Sequence, residues 1–427
     1  MRALVLGSGG REHALVWALA RSPLIDQVLC APGSDAIAWH GRCVKGDPED
    51  AGSLLELVKR ERVRLVVVGP EAPLVAGIAD RLSDAGVAVF GPSAAAARLE
   101  GSKSFAKAFM ERHGVPTAAY RAFQDPDRAE GYVRERGGTV VVKADGLAAG
   151  KGVYLCADPD EATAALSEIM RDRRFGDSGA SVVIEDWLMG EEASYYAICD
   201  GERTVCLAAA QDHKRVFDED RGENTGGMGA YSPAPVVSAE VEKKVIDRIV
   251  RPTLDGMRAE GSPYRGVLYV GLMIADGEPS VVEFNVRFGD PETQALLYRL
   301  ESDLVPLLLS AAQGRLPEDD PGLVFGDPAV CVVLASEGYP RSYPTGREIT
   351  GLDEVAARQD VIVFHSGTRQ IDGRWETAGG RVLGVTARGP GIAAARDRAY
   401  AAARRIRFEG AHFRSDIALR ALRDHNA

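Results

Sequence analysis

The sequence predicts a mixed α/β and α+β fold of several domains that opens with a doubly wound parallel sheet. Short apolar strands alternate with helical patterns through the first hundred residues, as at 2–7, 65–68 and 87–90. This alternation is typical of an open parallel sheet with helices on both faces. Farther along, residues 194–210 and 265–284 carry alternating strand patterns, which predict an antiparallel sheet with helices at 237–259 and 292–313. Short strands separated by turns then indicate a small β-rich domain at the C-terminus.

Changes in this pattern divide the chain into four units. Residues 1–102 are expected to form the doubly wound domain. A central α+β domain is expected at 103–122 and 188–327, and a smaller α+β lid at 123–187 interrupts it. A stretch rich in Gly, Pro and Asp then predicts a linker into the C-terminal β-rich domain at 328–427. A chain of 427 residues has room for several such cores, since domains typically hold roughly 100–200 residues.

Composition and charge restrict the class of protein. The net charge of −11 argues against a general nucleic-acid binder, which would usually be basic. The six cysteines include no CxxC pair, which favours free thiols in a reducing compartment. No apolar run reaches the roughly 18–20 residues of a membrane helix, and the first residues lack a signal-peptide layout. We therefore expect a cytoplasmic monomer without nucleic-acid or membrane partners.

A glycine loop follows the first strand. Residues 7–13 read GSGGREH and open a helix. Glycines let the backbone approach an anion there, and the helix N-terminus offers unpaired N–H groups, so a phosphate is the natural ligand. The dinucleotide fingerprint GxGxxG requires Gly or Ala where Glu12 stands, which weakens an NAD or FAD interpretation. A tight strand-to-helix turn without any ligand explains the loop equally well.

A lysine at the end of an apolar strand precedes a second glycine loop. Residues 140–153 read VVVKADGLAAGKGV, with Lys143 ending the strand and Lys151 in the loop. Such a lysine can reach nucleotide phosphates, and the loop can fold over them and donate backbone N–H groups. The GxxxxGK[ST] order of a Walker A loop is absent from this stretch. The alternative is a β-hairpin with an exposed glycine turn, although hairpin loops are usually shorter.

A third motif runs from an apolar strand into acidic residues. Residues 182–194 read VVIEDWLMGEEAS. A segment of this kind can present backbone groups to an adenine edge, and Glu192 can accept a hydrogen bond from a ribose hydroxyl. A solvated turn explains the same residues equally well.

A fourth motif places three polar side chains on one strand. Glu283, Asn285 and Arg287 share a face because side chains alternate along a strand. A carboxylate beside an amide oxygen suits Mg²⁺, and an arginine can hold a carboxylate or phosphate with two hydrogen bonds. The polar outer face of an antiparallel strand is the alternative.

The order of four pieces resembles that of ATP-grasp enzymes, in which two α+β subdomains clamp ATP: Lys103, Lys143 with its glycine loop, the segment at 185–188, and Glu283 with Asn285. Five further motifs resemble the phosphoribosylamine–glycine ligase family: GSGGREHA at 7–14, GPEAPL at 69–74, QDHKR at 211–215, NTGGMGAYSP at 224–233 and RFGDPETQ at 287–294. The resemblance covers essentially the whole chain. It implies an ATP-dependent ligase of de novo purine biosynthesis that joins glycine to 5-phosphoribosylamine through a glycyl phosphate. The products would be glycinamide ribonucleotide, ADP and phosphate.

The resemblance also implies roles for individual residues. ATP would be bound by Lys103, Lys143, Gly146, Gly150, Lys151, Gly152, Glu185, Trp187, Leu188 and Glu192. Magnesium, or manganese, would be held by Glu283 and Asn285. The substrates would contact Gly9, Gly10, Pro70, Glu71, Asn224, Gly226, Gly227 and Met228. Catalysis beside the γ-phosphate would depend on Asp212, Lys214, Arg287 and Asp290.

One feature departs from the wider ATP-grasp family, and three other functions compete. Many members carry a second acidic metal ligand on the preceding strand, but residues 268–274 read LYVGLMI, so phosphates and waters must complete the metal shell. A dinucleotide-dependent oxidoreductase would rest on the first glycine loop alone. A catalytically silent nucleotide-binding module would bind ATP without glycine-dependent turnover. A sister ligase for another carboxylate or amine is disfavoured by the motifs at 211–233 and 287–294.

If the second glycine loop clamps ATP, Lys143→Ala should raise the KM for ATP by about tenfold or more, because a charged donor to the phosphates is lost. Phosphate release at varied ATP concentration measures this change. An unchanged KM would mean that this loop is not the phosphate clamp.

Overall fold

A computed structural model describes residues 1–148 and 150–423 of the chain. Ala149 of the predicted phosphate loop and residues 424–427 of the predicted C-terminal domain lie outside the described residues. The N-terminal region forms a five-stranded parallel sheet in the order β3-β2-β1-β4-β5. Its elements are β1 (Arg2–Gly7), α1 (Gly10–Ala20), β2 (Gln27–Pro32), β3 (Arg42–Cys43), α2 (Ala51–Glu61), β4 (Val63–Val68), α3 (Glu71–Val75), α4 (Ile78–Asp84) and β5 (Ala88–Phe90).

Both faces of this sheet are covered, as the alternation of its residues requires. Along β1, Ala3 and Val5 join one hydrophobic cluster together with Leu15 of α1. Leu4 and Leu6 join a second cluster with α2 and α4 on the opposite face. Successive strand residues point to opposite faces, so a strand buried on both sides reads as a continuous apolar run. The predicted doubly wound arrangement matches this part of the structure.

Two helices and a small antiparallel sheet follow. The helices are α5 (Ala94–Gly101) and α6 (Lys103–Arg112). The lid sheet has the order β6-β9-β7-β8 and carries two helices. Its elements are β6 (Tyr120–Phe123), α7 (Pro126–Arg136), β7 (Val140–Ala144), β8 (Val153–Cys156), α8 (Pro159–Leu166), a π-helical turn at Ser167–Arg171 and β9 (Val182–Asp186).

Asp-Pro pairs start both lid helices. Asp125 and Asp158 each accept two backbone N–H groups of the first turn, and a proline stands at the first helical position. This arrangement satisfies helix donors that otherwise lack partners and uses the fixed φ of proline.

The central region is built on a second antiparallel sheet, in the order β11-β10-β16-β17. The strands of this region are β10 (Glu191–Asp200), β11 (Thr204–Cys206), β12 (Gln211–Asp212), β13 (Arg215–Phe217), β14 (Arg221–Asn224), β15 (Gly229–Ser232), β16 (Arg265–Ala275) and β17 (Glu278–Asn285). The helices are α9 (Ala239–Val245), continued through a π turn at Ile246–Val250 into α10 (Arg251–Ala259), then α11 (Glu292–Arg299) and α12 (Leu304–Ala312).

The C-terminal region combines a sheet, a small three-stranded sheet and helices. Its elements are β18 (Ala329–Ala335), β19 (Glu348–Ile349), α13 (Leu352–Ala356), β20 (Val361–His365), β21 (Thr368–Ile371), β22 (Arg374–Thr377), β23 (Arg381–Arg388), α14 (Ile392–Ala403) and α15 (Arg420–Arg423). The five-stranded sheet has the order β12-β15-β18-β23-β20. Because β12 and β15 come from the central region, this sheet crosses the boundary expected at residue 328.

Some helices differ from the sequence prediction. A single helix was expected at 292–313, but Leu300–Asp303 separates α11 from α12. The Asp303 carboxylate accepts the Val305 N–H at 3.0 Å and so starts a new helix. The structure also contains α3 and α5, two short helices that the sequence did not predict. Among the described residues, no helix is long and apolar enough to span a membrane.

Phe364 joins the C-terminal sheet to the N-terminal domain, and its removal should destabilise the protein. The side chain is fully buried, with ring centroids 5.5 Å from His13 and 5.9 Å from Trp17. Phe364→Ala should lower the free energy of unfolding by about 3–5 kcal/mol through lost burial and a cavity. Urea unfolding measures the loss, with the exposed Ile371→Ala as control. Equal midpoints for the two variants would contradict this role.

Candidate active site

A cavity of about 780 Å³ lies where the four regions of the chain meet. Its wall takes Arg11 and Glu71 from the N-terminal region, Lys143 from the lid, Glu283 from the central sheet and Arg381 from the C-terminal region. Most of the predicted functional residues share this wall: Lys103, Lys143, Gly150, Gly152, Glu185, Trp187, Leu188, Glu192, Asp212, Lys214, Asn224, Gly226, Glu283, Asn285, Arg287 and Asp290, together with Glu71. Residues distant in sequence are thus brought into one site.

Lys143 is held in the lid by a buried carboxylate. Its strand β7 is buried along its whole length, and Lys143 Nζ lies 2.9 Å from Glu185 Oε1 and 3.0 Å from the Val282 carbonyl oxygen. Lys107 Nζ lies 2.9 Å from the other oxygen of Glu185, and burial lowers the pKa of Lys107 to about 8. Glu185 was expected beside adenine, and in the structure its carboxylate pairs two cations. Lys107 is a site residue that the sequence analysis missed.

The base of the second glycine loop is anchored by Asp145. Its carboxylate accepts hydrogen bonds from the backbone N–H of Ser104 at 2.8 Å and from the Ser104 and Ser181 hydroxyls, both at 2.7 Å. Burial acts to raise the pKa of Asp145, but these hydrogen bonds outweigh it and lower the pKa. Lys103 Nζ donates to the Gly146 carbonyl oxygen at 3.2 Å. The loop is therefore tied to the start of α6, where Lys103 faces the cavity.

The outer part of the same loop reaches the C-terminal region. Lys151 Nζ donates to the Pro340 carbonyl oxygen at 2.9 Å. Asn224 Nδ2 donates to the Val153 carbonyl oxygen at 3.4 Å, and the Gly226 N–H donates to the Tyr339 hydroxyl at 3.0 Å. The glycine loop thus lies against β14 and the segment around residue 340, which closes this side of the cavity.

A row of charges crosses the floor of the cavity. Lys214 Nζ lies 3.0 Å from Glu192 Oε2 and 3.7 Å from Glu283 Oε1. Burial acts to raise the pKa of Glu283, but Lys214, Lys143, Lys103 and Arg287 outweigh it and hold the pKa at about 2. Glu283 is therefore ionised at neutral pH. Glu192 was expected at the ribose, and here it pairs with Lys214.

Glu283 and Asn285 are adjacent oxygen donors on β17, and both line the cavity. Among residues 1–148 and 150–423, no cluster of three or more His, Cys, Asp or Glu side chains suits a metal ion. The ionised carboxylate and the amide oxygen fit a hard cation such as Mg²⁺, which keeps several waters and shares its shell with phosphates. The donor set therefore fits a metal that is bound together with a nucleotide.

The carboxylates of Asp212 and Glu292 also line the cavity. Asp212 is buried, and burial raises its pKa to about 7. Nearby, Glu292 Oε1 accepts hydrogen bonds from the Tyr269 hydroxyl at 2.8 Å and the Ser194 hydroxyl at 3.2 Å. This end of the cavity can attract a cationic group or accept a proton.

Arg287 lies between two carboxylates. Its Nε is 3.1 Å from Glu71 Oε2, and its Nη2 is 3.0 Å from Glu100 Oε1. Burial acts to raise the pKa of Glu71, but Arg287 and Arg11 outweigh it and hold the pKa at about 2. Glu71 was expected at the amine substrate, and it also holds Arg287. Glu100 was not among the predicted residues.

Arg381 of β23 connects the C-terminal region to the site. Its Nη2 lies 3.0 Å from Asp290 Oδ2, and Nη1 donates to the Asp290 carbonyl oxygen at 2.7 Å and to the Gly226 carbonyl oxygen. The second Asp290 oxygen accepts from Gln294 Nε2 at 2.7 Å. Arg381 thus joins the NTGGMG and RFGDPE segments. A lone arginine in a GGRVL sequence carried no signal that could have identified it.

The glycines of the first loop lie outside the cavity wall, although Arg11 of the same segment lines it. The Gly9 N–H donates to Glu12 Oε2 at 2.7 Å, so the residue that departs from the GxGxxG pattern occupies this donor. Gly10 packs so closely that a Cβ atom there would collide with the Ser366 hydroxyl. Within the described part of the chain, the cavity wall also omits Pro70, Gly146, Lys151, Gly227 and Met228. Met228 is fully buried, and both its backbone N–H and its carbonyl are bonded within the protein.

The family to which the chain belongs follows from comparison with known proteins. Family models for phosphoribosylglycinamide synthetase match residues 1–100 (N domain), 101–293 (ATP-grasp domain) and 329–420 (C domain). The chain is 50% identical to the phosphoribosylamine–glycine ligase of Phenylobacterium zucineum, covering 99% of this chain and 100% of the relative. It is 51% identical to that of Xanthomonas campestris pv. campestris, covering 99% and 98%.

Solved structures agree with the sequence relatives. The phosphoribosylamine–glycine ligase of Thermotoga maritima matches with a TM-score of 0.85 and 34% identity, over 98% of this chain and 100% of that one. The biotin carboxylase domain of Hydrogenobacter thermophilus 2-oxoglutarate carboxylase shares the fold, with a TM-score of 0.73 and 16% identity over 96% and 91% of the chains. The predicted fold class and family resemblance are confirmed. The chain belongs to the phosphoribosylglycinamide synthetase family of ATP-grasp enzymes, whose relatives at about half identity are named phosphoribosylamine–glycine ligases.

Proposed function

We propose that the protein ligates glycine to 5-phosphoribosylamine with ATP, giving glycinamide ribonucleotide, ADP and phosphate. The observation that carries this proposal is the cavity in which lysines, Arg287 and the Glu283–Asn285 pair converge. Full-length relatives that carry this activity in their names support the choice of substrates.

ATP would lie between the lid and the central sheet. Lys103 and Lys143 would meet its phosphates, and Gly146, Gly150, Lys151 and Gly152 would form the loop over them. Trp187 and Leu188 line the side of the cavity where adenine would rest, next to Glu185. Glu192 would separate from Lys214 and accept a hydrogen bond from a ribose hydroxyl. The Lys214 ammonium group could then contact a phosphate.

A divalent cation, magnesium or manganese, would be held by Glu283 and Asn285. When bound, the ion supplies positive charge that offsets the charge on the phosphates. Lys214 already lies 3.7 Å from Glu283, so the same carboxylate would face both the cation and an ammonium group. Because the pKa of Glu283 is about 2, its carboxylate is ionised across the physiological pH range and can ligate the cation.

The two substrates would occupy the inner end of the cavity. Arg287, with Lys214, can hold an anionic group beside the γ-phosphate, and Asp212 and Asp290 can face an amine. The remaining predicted contacts to the substrates stay a proposal: Gly9, Gly10, Pro70, Glu71, Asn224, Gly226, Gly227 and Met228. Of these, Glu71, Asn224 and Gly226 lie on the cavity wall, whereas the other five would need movement of the surrounding segments.

The chemistry follows from the poor reactivity of a free carboxylate toward an amine. A glycine carboxylate oxygen would attack the γ-phosphorus of ATP, and the bond to the ADP oxygen would break, giving glycyl phosphate and ADP. The amine nitrogen of phosphoribosylamine would then attack the glycyl carbonyl carbon. Phosphate would leave with the bonding electron pair, and the amine proton would pass to a base. Positioning and charge stabilisation carry such steps, so no nucleophilic side chain is needed.

The acyl phosphate would hydrolyse in open water, so the site has to close. The contacts of the glycine loop with Asn224 and Pro340 supply a means of excluding water. The six cysteines are free thiols, which suits the reducing cytoplasm in which we place the enzyme.

Phosphate release by the purified protein tests the proposal. With ATP and Mg²⁺, release should require both glycine and freshly generated phosphoribosylamine. Glu283→Ala should abolish turnover with folding retained, because the carboxylate that faces the cation is lost. Glu278→Ala is the matched control, since Glu278 lies on the same strand but pairs with Lys244 and Arg248 outside the cavity.

The outcomes separate the competing functions. Release that depends on both substrates establishes the ligase. ATP binding without release would point to a different carboxylate substrate or to a silent nucleotide-binding module. Near-wild-type turnover in Glu283→Ala would remove the metal role of this residue.

A further inference from the structure

Glu100 is a buried carboxylate on the cavity wall to which the proposed reaction assigns no part. It lies in the last turn of α5 and is 8% exposed. Burying an ionisable group costs free energy unless its oxygens are bonded, and an apolar side chain would pack there without that cost. Packing alone therefore does not account for a carboxylate at this position.

Both oxygens of Glu100 are engaged by the segment that directly follows β17. Oε1 lies 3.0 Å from Arg287 Nη2, and Oε2 accepts the Val286 N–H at 2.7 Å. One contact fixes a side chain and the other fixes the backbone beside it. Glu100 therefore restrains the chain immediately after Asn285, where β17 leaves the sheet.

Arg287 is restrained from its other side by Glu71, through Nε at 3.1 Å. A guanidinium group carries five N–H donors in a fixed plane. Two carboxylates from two different helices, α3 and α5, set that plane, and the remaining contact runs from Nη1 to the Phe288 carbonyl oxygen at 3.5 Å. Arg287 also lines the cavity, so its remaining donors can contact a ligand there.

A single carboxylate would not hold Arg287 in this way. With Glu71 alone, the guanidinium could rotate about its contact at Nε. Holding a binding group in one orientation before the ligand arrives reduces the conformational entropy lost on binding. The second carboxylate therefore fixes the orientation of Arg287 before a ligand binds.

We propose that Glu100 is a positioning residue that orients Arg287 so that its guanidinium group binds the carboxylate of glycine. The proposal rests on the function proposed above and names the residue that prepares its amino-acid site. Glu100 acts through Arg287, does not touch the nucleotide, and makes its contribution at the glycine-binding step.

Steady-state kinetics of Glu100→Ala and Glu100→Gln test this role. Glu100→Ala should raise the KM for glycine about tenfold or more, as expected for loss of a charged hydrogen bond, and leave the KM for ATP within about twofold. Glu100→Gln should show a smaller rise, because its amide oxygen can still accept one of the two donors. Glu56→Gln, an exposed carboxylate change on α2, is the matched control and should leave both constants unchanged.

A double-mutant cycle shows whether Glu100 acts through Arg287. The KM for glycine in Glu100→Ala/Arg287→Ala should equal that of Arg287→Ala alone, since nothing is left to position. Multiplicative effects of the two changes would overturn the proposal. So would a glycine KM within about twofold of wild type in Glu100→Ala, or equal rises of the glycine and ATP constants with a lowered unfolding temperature.

Glu100→Gln and the wild-type protein serve as further controls in this experiment. If Glu100→Ala does not fold, Glu100→Gln carries the comparison, and an unchanged glycine KM in that variant overturns the proposal. Glycine-dependent phosphate release by the wild-type protein is measured first. Its absence would overturn the proposed function, whereas wild-type turnover with unchanged variants would overturn only the role of Glu100.

Discussion

The site depends on buried and half-buried cations that are each held by carboxylates before any ligand arrives. Glu185 pairs Lys143 and Lys107, Glu71 and Glu100 pair Arg287, and Lys214 lies between Glu192 and Glu283. Uncompensated charges of one sign would repel each other and would be costly to bury. The pairing keeps these cations in place without a ligand, and their remaining donors can face an anionic substrate. The charged groups that the proposed function would use are therefore already held in place in the folded chain.

This charge arrangement explains why the four regions are joined so closely. The glycine loop is anchored at its base by Asp145 and contacts the C-terminal region through Lys151. Arg381 joins Asp290 to the Gly226 turn. The sheet that contains β12, β15 and β18 extends from the central to the C-terminal region. The contacts that would close the proposed nucleotide site and the contacts of the C-terminal region thus involve the same segments.

Much of the site could be predicted because its motifs are continuous in sequence. The strand–lysine–glycine pattern around Lys143 and the alternation of Glu283, Asn285 and Arg287 express local rules that hold before tertiary packing. Glu100, Lys107 and Arg381 were missed, since none of them belongs to a recognisable motif in the sequence. Their partners are distant: Glu100 bonds Val286 across 186 positions. The first glycine loop had the expected shape, but Glu12 occupies the donor at Gly9, and no sequence pattern showed where that side chain would turn.

The sequence by itself determined the family and the fold class, because periodicity, glycine placement and motif order are properties of neighbouring residues. Only the tertiary structure decided which charges meet. Glu185 proved to hold two lysines, Glu192 to pair with Lys214, and Met228 to lie fully buried. Charge pairing depends on distances of about 3 Å between segments far apart in the chain, and it changes when a side chain adopts another rotamer. Local sequence carries no record of such distances.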